Sequence, residues 1–253
     1  MKIRKILVSQ PKPNGEKSPY FDIAEKYGVQ IDFRSFIKIE AVSAKDFRTQ
    51  RVNILDHSAI IFSSRTGIDH FFRLCKELRV NVPENMKYFC ISEQVAVYLQ
   101  HYIHYRKRKV FFNQTGKLPE LITLIKKHPS EKYLLACTDV HNEDIITMLN
   151  SIKAKFNKGI MYRTVSNDFE DGVTFDYDML VFFTPMGIQS LKKNFPNFEQ
   201  GEIQIATLGK STAQAVIDAG LRLDLEVPQP QFSSITAALD WYIKENHKMY
   251  NKK

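Results

Sequence analysis

Apolar residues gather in eight short runs, at 4–9, 58–62, 87–91, 110–113, 132–137, 178–183, 203–208 and 222–227. Each has the length of a strand and sits between polar, Gly or Pro residues, so each is predicted to be a β-strand. Between most of them the period changes to 3.6. Ile68, Phe71, Phe72 and Cys75 form one stripe; Val95, Leu99, Tyr102 and Ile103 a second; Leu118, Leu121, Ile122 and Ile125 a third; Ile145, Met148, Leu149 and Ile152 a fourth. These stripes predict helices that bury one face. Strand–helix alternation implies parallel sheets covered on both faces, with ligands bound beyond the carboxyl ends of the strands. Residues 29–42 and 157–166 break the alternation, because neither carries a helical stripe. The first is far longer than a mean strand of about 5–6 residues. Each is expected to run from one sheet into another.

The pattern is also duplicated. Ile60-Ile61-Phe62-Ser63-Ser64-Arg65-Thr66-Gly67-Ile68 aligns without a gap on Leu180-Val181-Phe182-Phe183-Thr184-Pro185-Met186-Gly187-Ile188, an offset of 120 from Gly67 to Gly187. Ile91-Ser92-Glu93-Gln94-Val95-Ala96 aligns on Leu208-Gly209-Lys210-Ser211-Thr212-Ala213, an offset of 117 from Ile91 to Leu208. In each copy a strand turns into a helix through small polar residues, leaving unpaired N–H groups and the positive dipole end facing outward, an arrangement suited to anionic ligands. The expected fold class is α/β: two flavodoxin-like parallel-sheet domains joined by a two-stranded β-ladder. Residues 1–33 with 168–253 are expected to form one discontinuous domain and 42–159 the other, with 34–41 and 160–167 as linking strands. The cleft between them is expected to open onto both sets of turns.

Composition narrows the function. At 253 residues and 43% hydrophobic content the chain has enough apolar mass for two cores. Charges interrupt Met1-Lys2-Ile3-Arg4-Lys5-Ile6-Leu7, and no apolar run reaches the ~20 residues of a membrane span, so a soluble cytoplasmic protein without a membrane partner is expected. Cys75, Cys90 and Cys137 are odd in number and widely spaced, which argues for buried thiols rather than disulfides or a metal site. The net charge of +8 favours acidic partners in general. Its densest run, Arg106-Lys107-Arg108-Lys109, is expected to follow the end of the helix through Val95, where cations complement the dipole; no nucleic-acid partner is inferred. Gly209-Lys210-Ser211-Thr212 ends like a phosphate loop, but Gln204 stands where that motif needs its first glycine. No G-x-G-x-x-G follows a strand and no G-x-S-x-G occurs. His101 and His104, on one expected helix face, lack further ligands nearby, and Glu143-Asp144 fit the first turn of a helix. Any catalysis must rest on positioning and hydrogen-bond donors.

Taken in order, the turns resemble the uroporphyrinogen-III synthase family. The segment from Ile205 through Gly209-Lys210-Ser211-Thr212-Ala213 to Ala219-Gly220-Leu221-Arg222 is similar to that family's strand, G-x-x-T-A turn and helix. Residues 228–238 resemble its loop and final helix, capped by Ser233 or Ser234. The patches at Phe62–Ile68 and Phe182–Ile188 resemble its F-T-S-type turns, and Met161-Tyr162-Arg163-Thr164 its Tyr-Arg pair. A monomer that holds no metal is expected, although the sequence does not fix the oligomeric state; the resemblance implies that no cofactor is needed. It also implies a linear tetrapyrrole substrate, hydroxymethylbilane, with acetate and propionate arms on every ring. Its chemistry is cyclisation with inversion of ring D. Tyr162 is the catalytic candidate, assisting departure of the terminal hydroxyl. The substrate contacts it implies are Lys12, Ser63, Ser64, Arg65, Thr66, Ser92, Thr184, Met186, Gly187, Gly209, Lys210, Ser211 and Thr212. Departures stand beside these. Ser9-Gln10-Pro11 lacks the family's arginine after the first strand. Ser92-Glu93-Gln94-Val95-Ala96 lacks its glycine and threonine and adds a carboxylate, and 135–139 lacks its glycine-rich turn. These changes favour the alternative of a non-catalytic tetrapyrrole- or polyanion-binding module on the same fold.

Overall fold

The computed structural model describes residues 1–15, 17–140, 143–169 and 175–251. The chain divides into two compact units: Met1–Lys38 with Val165–Lys253, and Ile39–Thr164.

In the first unit, strands β1 (Lys5–Val8) and β2 (Gln30–Phe33) flank helix α1 (Pro19–Tyr27). The second unit holds β3 (Ile37–Ala41), α2 (Ala44–Thr49), β4 (Ala59–Phe62), α3 (Arg65–Leu78), β5 (Lys87–Cys90), α4 (Glu93–Tyr98), β6 (Val110–Phe112), α5 (Leu118–Lys126), β7 (Lys132–Thr138), α6 (Glu143–Ser151) and β8 (Lys155–Ser166). The chain then completes the first unit with β9 (Met179–Phe182), α7 (Pro185–Asn194), β10 (Gln204–Leu208), α8 (Lys210–Asp218), β11 (Leu225–Val227) and α9 (Ile235–Asn251).

The first unit's sheet has the order β11-β10-β9-β1-β2, parallel throughout, which in chain order is the doubly wound 2-1-3-4-5 arrangement. The second unit's sheet reads β6-β5-β4-β7-β8, also parallel, with β3 added at the β8 edge. The aligned repeats superpose β9 on β4 and β10 on β5, so both sheets have one spatial order with the chain opened at different points. What β1-α1-β2 supplies at the start of the first unit, β7-α6-β8 supplies at the end of the second. Each sheet therefore reverses direction at an equivalent place, between β1 and β9 in one unit and between β4 and β7 in the other.

The strands read as unbroken apolar runs because both faces are buried. In β4, Ile60 and Phe62 join the core under α3 and α4, while Ala59 and Ile61 join the core under α5 and α6. In β9, Met179 and Val181 pack toward α1 and α9, while Leu180 and Phe182 pack toward α7 and α8. The three thiols are free and buried; burial pushes Cys75 and Cys90 up to about 12 and Cys137 to about 11.

Three local expectations need correction. Residues 29–42 are not continuous, because β2 and β3 are separated by Arg34-Ser35-Phe36. Phe36, 1% exposed, turns into the first unit's core against Phe169 and Phe182, and this packing breaks the strand without Gly or Pro. The helix expected through Ile103 stops at Tyr98 and tightens into a 3₁₀ turn, Leu99–His101. Tyr102 instead stacks on Phe72 of α3 at 4.6 Å and donates to the Asp69 carboxylate at 2.6 Å. His101 and His104 thus share no helix face, and Arg106-Lys107-Arg108-Lys109 leads into β6 through a second 3₁₀ turn, Lys107–Lys109, rather than neutralising a helix end. Among the described residues, no helix is long and apolar enough to cross a membrane, and no group of three or more His, Cys, Asp and Glu residues could hold a metal ion.

Candidate active site at the sheet reversal

The duplicated turns have one construction. Ser64, in extended backbone after β4, accepts the Gly67 N–H at 3.0 Å and caps α3. Thr184, at the matching place after β9, accepts the Gly187 N–H at 3.2 Å and caps α7. A β-carbon on either glycine would meet the preceding strand's phenylalanine, 3.8 Å from Phe62 or 3.1 Å from Phe182. The repeat F-x-[ST]-x-x-G is thus one cap made twice, with the glycine closely packed on the phenylalanine only in the first unit.

In the second unit this turn borders the place where the sheet reverses, next to the end of β7. There the ladder between β7 and β8 slips. Cys137 pairs with Ile160 but Thr138 pairs with Tyr162, leaving Met161 as the extra residue of a bulge. Side chains alternate faces along a regular strand, and a bulge re-aims those beyond it. Met161 and Tyr162 accordingly both join the core beneath α3. The Tyr162 ring stacks on His70 of α3 at 5.1 Å and 24°, and its hydroxyl lies 3.3 Å from the Ser64 hydroxyl.

Polar groups hold this arrangement. Arg73 donates through Nε to His70 Nδ1 at 3.3 Å, so the neutral imidazole carries its proton on Nε2. The same guanidinium donates to the Val42 and Met161 carbonyls at 2.7 and 3.3 Å and pairs with Glu77. Burial, with the nearby Arg73 charge, lowers the His70 pKa against the opposing pull of Asp69. Beyond the bulge, Asp139 accepts from Thr164 N–H at 3.0 Å, Val140 N–H at 2.9 Å and the Thr138 hydroxyl at 2.8 Å. Burial works against this carboxylate, but those donors prevail and its pKa is lowered.

A cavity of about 350 Å³ opens at these strand ends. Its polar lining is Ser63, Thr138 and Tyr162; its apolar lining includes Ile91, Leu118, Leu135, Val140 and Ile145, and Gly116 admits the loop after β6. Of the residues singled out by sequence, Ser63 and Tyr162 line this cavity, and Ser64 reaches it only through the Tyr162 hydroxyl. Arg65 lies over the Tyr98 ring at 5.5 Å, Thr66 is half-buried in the first turn of α3, and Ser92 caps α4 by accepting from Val95 N–H at 3.4 Å. Of these only Ser92 borders the cavity's lining, following Ile91 in the chain and standing 3.9 Å from the β-carbon that Gly116 would carry. His70, Arg73, Thr138 and Asp139 escaped sequence reasoning, since only the bulge and the packing of α3 bring them to Tyr162.

In the first unit, Thr184, Met186 and the buried Gly187 form the start of α7, and Lys12 lies in the exposed loop after the adjacent β1, 5.8 Å from the Phe21 ring. Gly209 takes the left-handed φ of 91° and offers α8 no side-chain cap, leaving the first N–H groups beside exposed Lys210 and Ser211 without a side-chain acceptor. Thr212 is 1% exposed and packs inward.

A family model described as uroporphyrinogen-III synthase HemD matches residues 19–237. Two solved structures are similar over nearly the whole length. The uroporphyrinogen-III synthetase of Helicobacter pylori shares 14% identity over 96% of this chain and 100% of its own, with a TM-score of 0.57. A mutant uroporphyrinogen III synthase of Thermus thermophilus shares 13% over 97% and 99%, with a TM-score of 0.53. At such identities the structural likeness shows the fold. No curated protein sequence matches the chain.

Proposed function

Because this chain belongs to the uroporphyrinogen-III synthase family, we propose that it cyclises hydroxymethylbilane with inversion of ring D and release of water. The observation that carries this reading is that Tyr162 and Ser63 line one cavity at the sheet reversal, with the Ser64 hydroxyl 3.3 Å from the Tyr162 hydroxyl. Loss of the substrate's terminal hydroxyl leaves an electrophilic azafulvene carbon. Bonding between that carbon and the substituted carbon of ring D gives a spiro intermediate, whose reopening and closure invert the ring. Substrate and product differ by one water, so no electrons are exchanged with an outside carrier.

The Tyr162 phenol donates to the departing hydroxyl, with Ser64 orienting it. At about 350 Å³ the cavity is near the lower end of the ~300–1,000 Å³ usual for ligand pockets. It suits one pyrrole ring: apolar walls take the ring face, and Ser63 and Thr138 take its polar edge. Other carboxylate arms are assigned to Arg65, Thr66 and Ser92, and in the first unit to Lys12, Thr184, Met186, Gly209, Lys210 and Ser211; Gly187 and Thr212, buried in the first turns of α7 and α8, pack inward instead. The open start of α8 is the natural anion seat among them. Because the unassisted bilane closes to the uninverted isomer, catalysis here is chiefly control of substrate shape.

The test is isomer analysis after enzymic generation of hydroxymethylbilane in the presence of the protein. Inverted product in excess of the uninverted isomer is expected; only the uninverted isomer at high protein concentration defeats the proposal. One observation favours a binding module instead: Glu93 is exposed in the first turn of α4 and repels carboxylates there. Tetrapyrrole binding without inversion would establish that second reading.

A further inference from the structure

The second unit holds a larger cavity, of about 560 Å³, away from the site above. It lies between the last turns of α3, the segment 80–84 leading into β5 and the segment 102–109 leading into β6. These are the amino ends of the strands, whereas the candidate active site is at the carboxyl ends. One wall is the flat pair of Phe72 on Tyr102, parallel within 4°. Val80 and Val82 extend the apolar surface, and Lys76, Arg106 and Lys109 supply the charge.

That charge is poorly neutralised. Glu84 is the lining carboxylate, 3.6 Å from Arg106, and its side chain is 87% exposed, so the pair is weak. No described carboxylate pairs with Lys76 or Lys109. Tyr88 is 4% exposed and lines the same space, yet its hydroxyl makes no hydrogen bond to any described residue. The hydroxyl is not one of the polar atoms sealed away from solvent; it opens on the cavity, where it is free to donate to a molecule seated there. Burial and the neighbouring Cys75 and Cys90 thiols raise its pKa, so it remains a donor. Cys75 also lines the cavity, but its thiol, pushed up to about 12 by burial, is no ready nucleophile. The space is built for binding rather than reaction.

We propose that this cavity is a second binding site, for a small amphipathic anion consisting of a flat apolar body that carries a carboxylate or a phosphate. The body lies along the Phe72–Tyr102 wall, the anionic oxygens meet Arg106 and Lys109, and a polar atom of the ligand accepts from Tyr88. The guanidinium fork suits either head group. The site is independent of the synthase reading.

Calorimetric titration of the full chain with 2-naphthoate, 2-naphthyl phosphate, 2-naphthalenemethanol and inorganic phosphate tests it. One or both aromatic anions are expected to bind once per chain, with the neutral alcohol and inorganic phosphate at least about tenfold weaker, since each lacks one half of the recognition. Preference between the two anions identifies the head group. Arg106→Glu with Lys109→Glu is expected to weaken binding by at least about tenfold, and Tyr88→Phe, which keeps the ring, by about threefold to tenfold. Val82→Trp, which fills the space, is expected to abolish it. Absence of saturable binding by either anion overturns the proposal. So does equal binding of the alcohol, or undiminished affinity in the double charge reversal when its circular dichroism matches wild type.

Discussion

Replacing Arg73 by methionine should destabilise the second unit by about 2–3 kcal/mol, a size that follows from its contacts. The guanidinium serves the Val42 carbonyl at 2.7 Å, the Met161 carbonyl at 3.3 Å, His70 at 3.3 Å, and Glu77. A hydrogen bond from a charged donor nets about 1.5–3 kcal/mol when well made. The short bond to Val42 earns that range in full. The two 3.3 Å bonds count for less, and the Glu77 pair, at i,i+4 with Arg73 28% exposed, adds only about 0.3–0.5 kcal/mol. Methionine retains the apolar stem, so the loss reports the head group. Urea unfolding followed by circular dichroism measures the change. Hydrogen exchange should locate it in β3 and β8, because Arg73 joins the residue after β3 to the bulge of β8, while β9 and β10 should keep their protection. Arg73→Lys separates charge from geometry: a single ammonium cannot reach two carbonyls and an imidazole together, so it should recover less than half the loss. A loss below about 0.5 kcal/mol in Arg73→Met, or full recovery in Arg73→Lys, would refute the reasoning.

Three other expectations follow from the same geometry. Tyr162→Phe removes the hydroxyl 3.3 Å from Ser64 but keeps the ring on His70, so turnover should fall about 10²-fold or more with little change in substrate affinity or unfolding midpoint; a matching loss of affinity would move Tyr162 from chemistry to binding. Burial, with Arg73 beside His70 and Lys87 beside His128, lowers both imidazole pKa values. A lowered histidine favours the neutral folded form, so its contribution is complete above the unfolded value of about 6.5 and declines as pH falls below it. Unfolding free energy should therefore drop between about pH 7 and pH 5, less steeply in His70→Gln and His128→Gln, and an unchanged slope in both variants would contradict the assigned cause. The paired glycines should also differ. A β-carbon on Gly67 would make ordinary contacts at 3.4 Å, so Gly67→Ala should be neutral or gain up to about 1 kcal/mol from helix propensity. Gly187→Ala, 3.1 Å from the fully buried Phe182 ring, should lose about 1–2 kcal/mol, and equal effects in calorimetric melting would show that the two turns pack alike.

The strands of both sheets were legible because burial on two faces leaves a signal one element long, as in Ala59–Phe62 and Met179–Phe182. The duplicated turns were legible because small polar residues between a strand and a helix are a local device that occurs twice; that Ser64 and Thr184 accept the Gly67 and Gly187 N–H groups as caps emerges only in the fold. What sequence concealed was decided at a distance. Nothing in Arg34-Ser35-Phe36 announces a break, since Phe36 is turned by rings more than about 130 positions away. The stripe through Leu99 and Tyr102 is a true packing stripe, yet periodicity cannot distinguish a continuing helix from a tight turn whose tyrosine reaches Phe72. The bulge at Met161 is the sharpest case. Regular alternation would place Tyr162 on the opposite face from Met161, and only the slipped register sends both beneath α3. The family motif marked the residue, but the one-residue slip aims it, and Asp139 with Arg73 holds that slip on either side. Deleting Met161 should consequently close the bulge with Tyr162 still opposite Thr138 and still beneath α3, at the cost of a buried methionine side chain and of one carbonyl that Arg73 serves; loss of the Tyr162–Ser64 contact with the ladder below Cys137 intact would refute this account of the bulge.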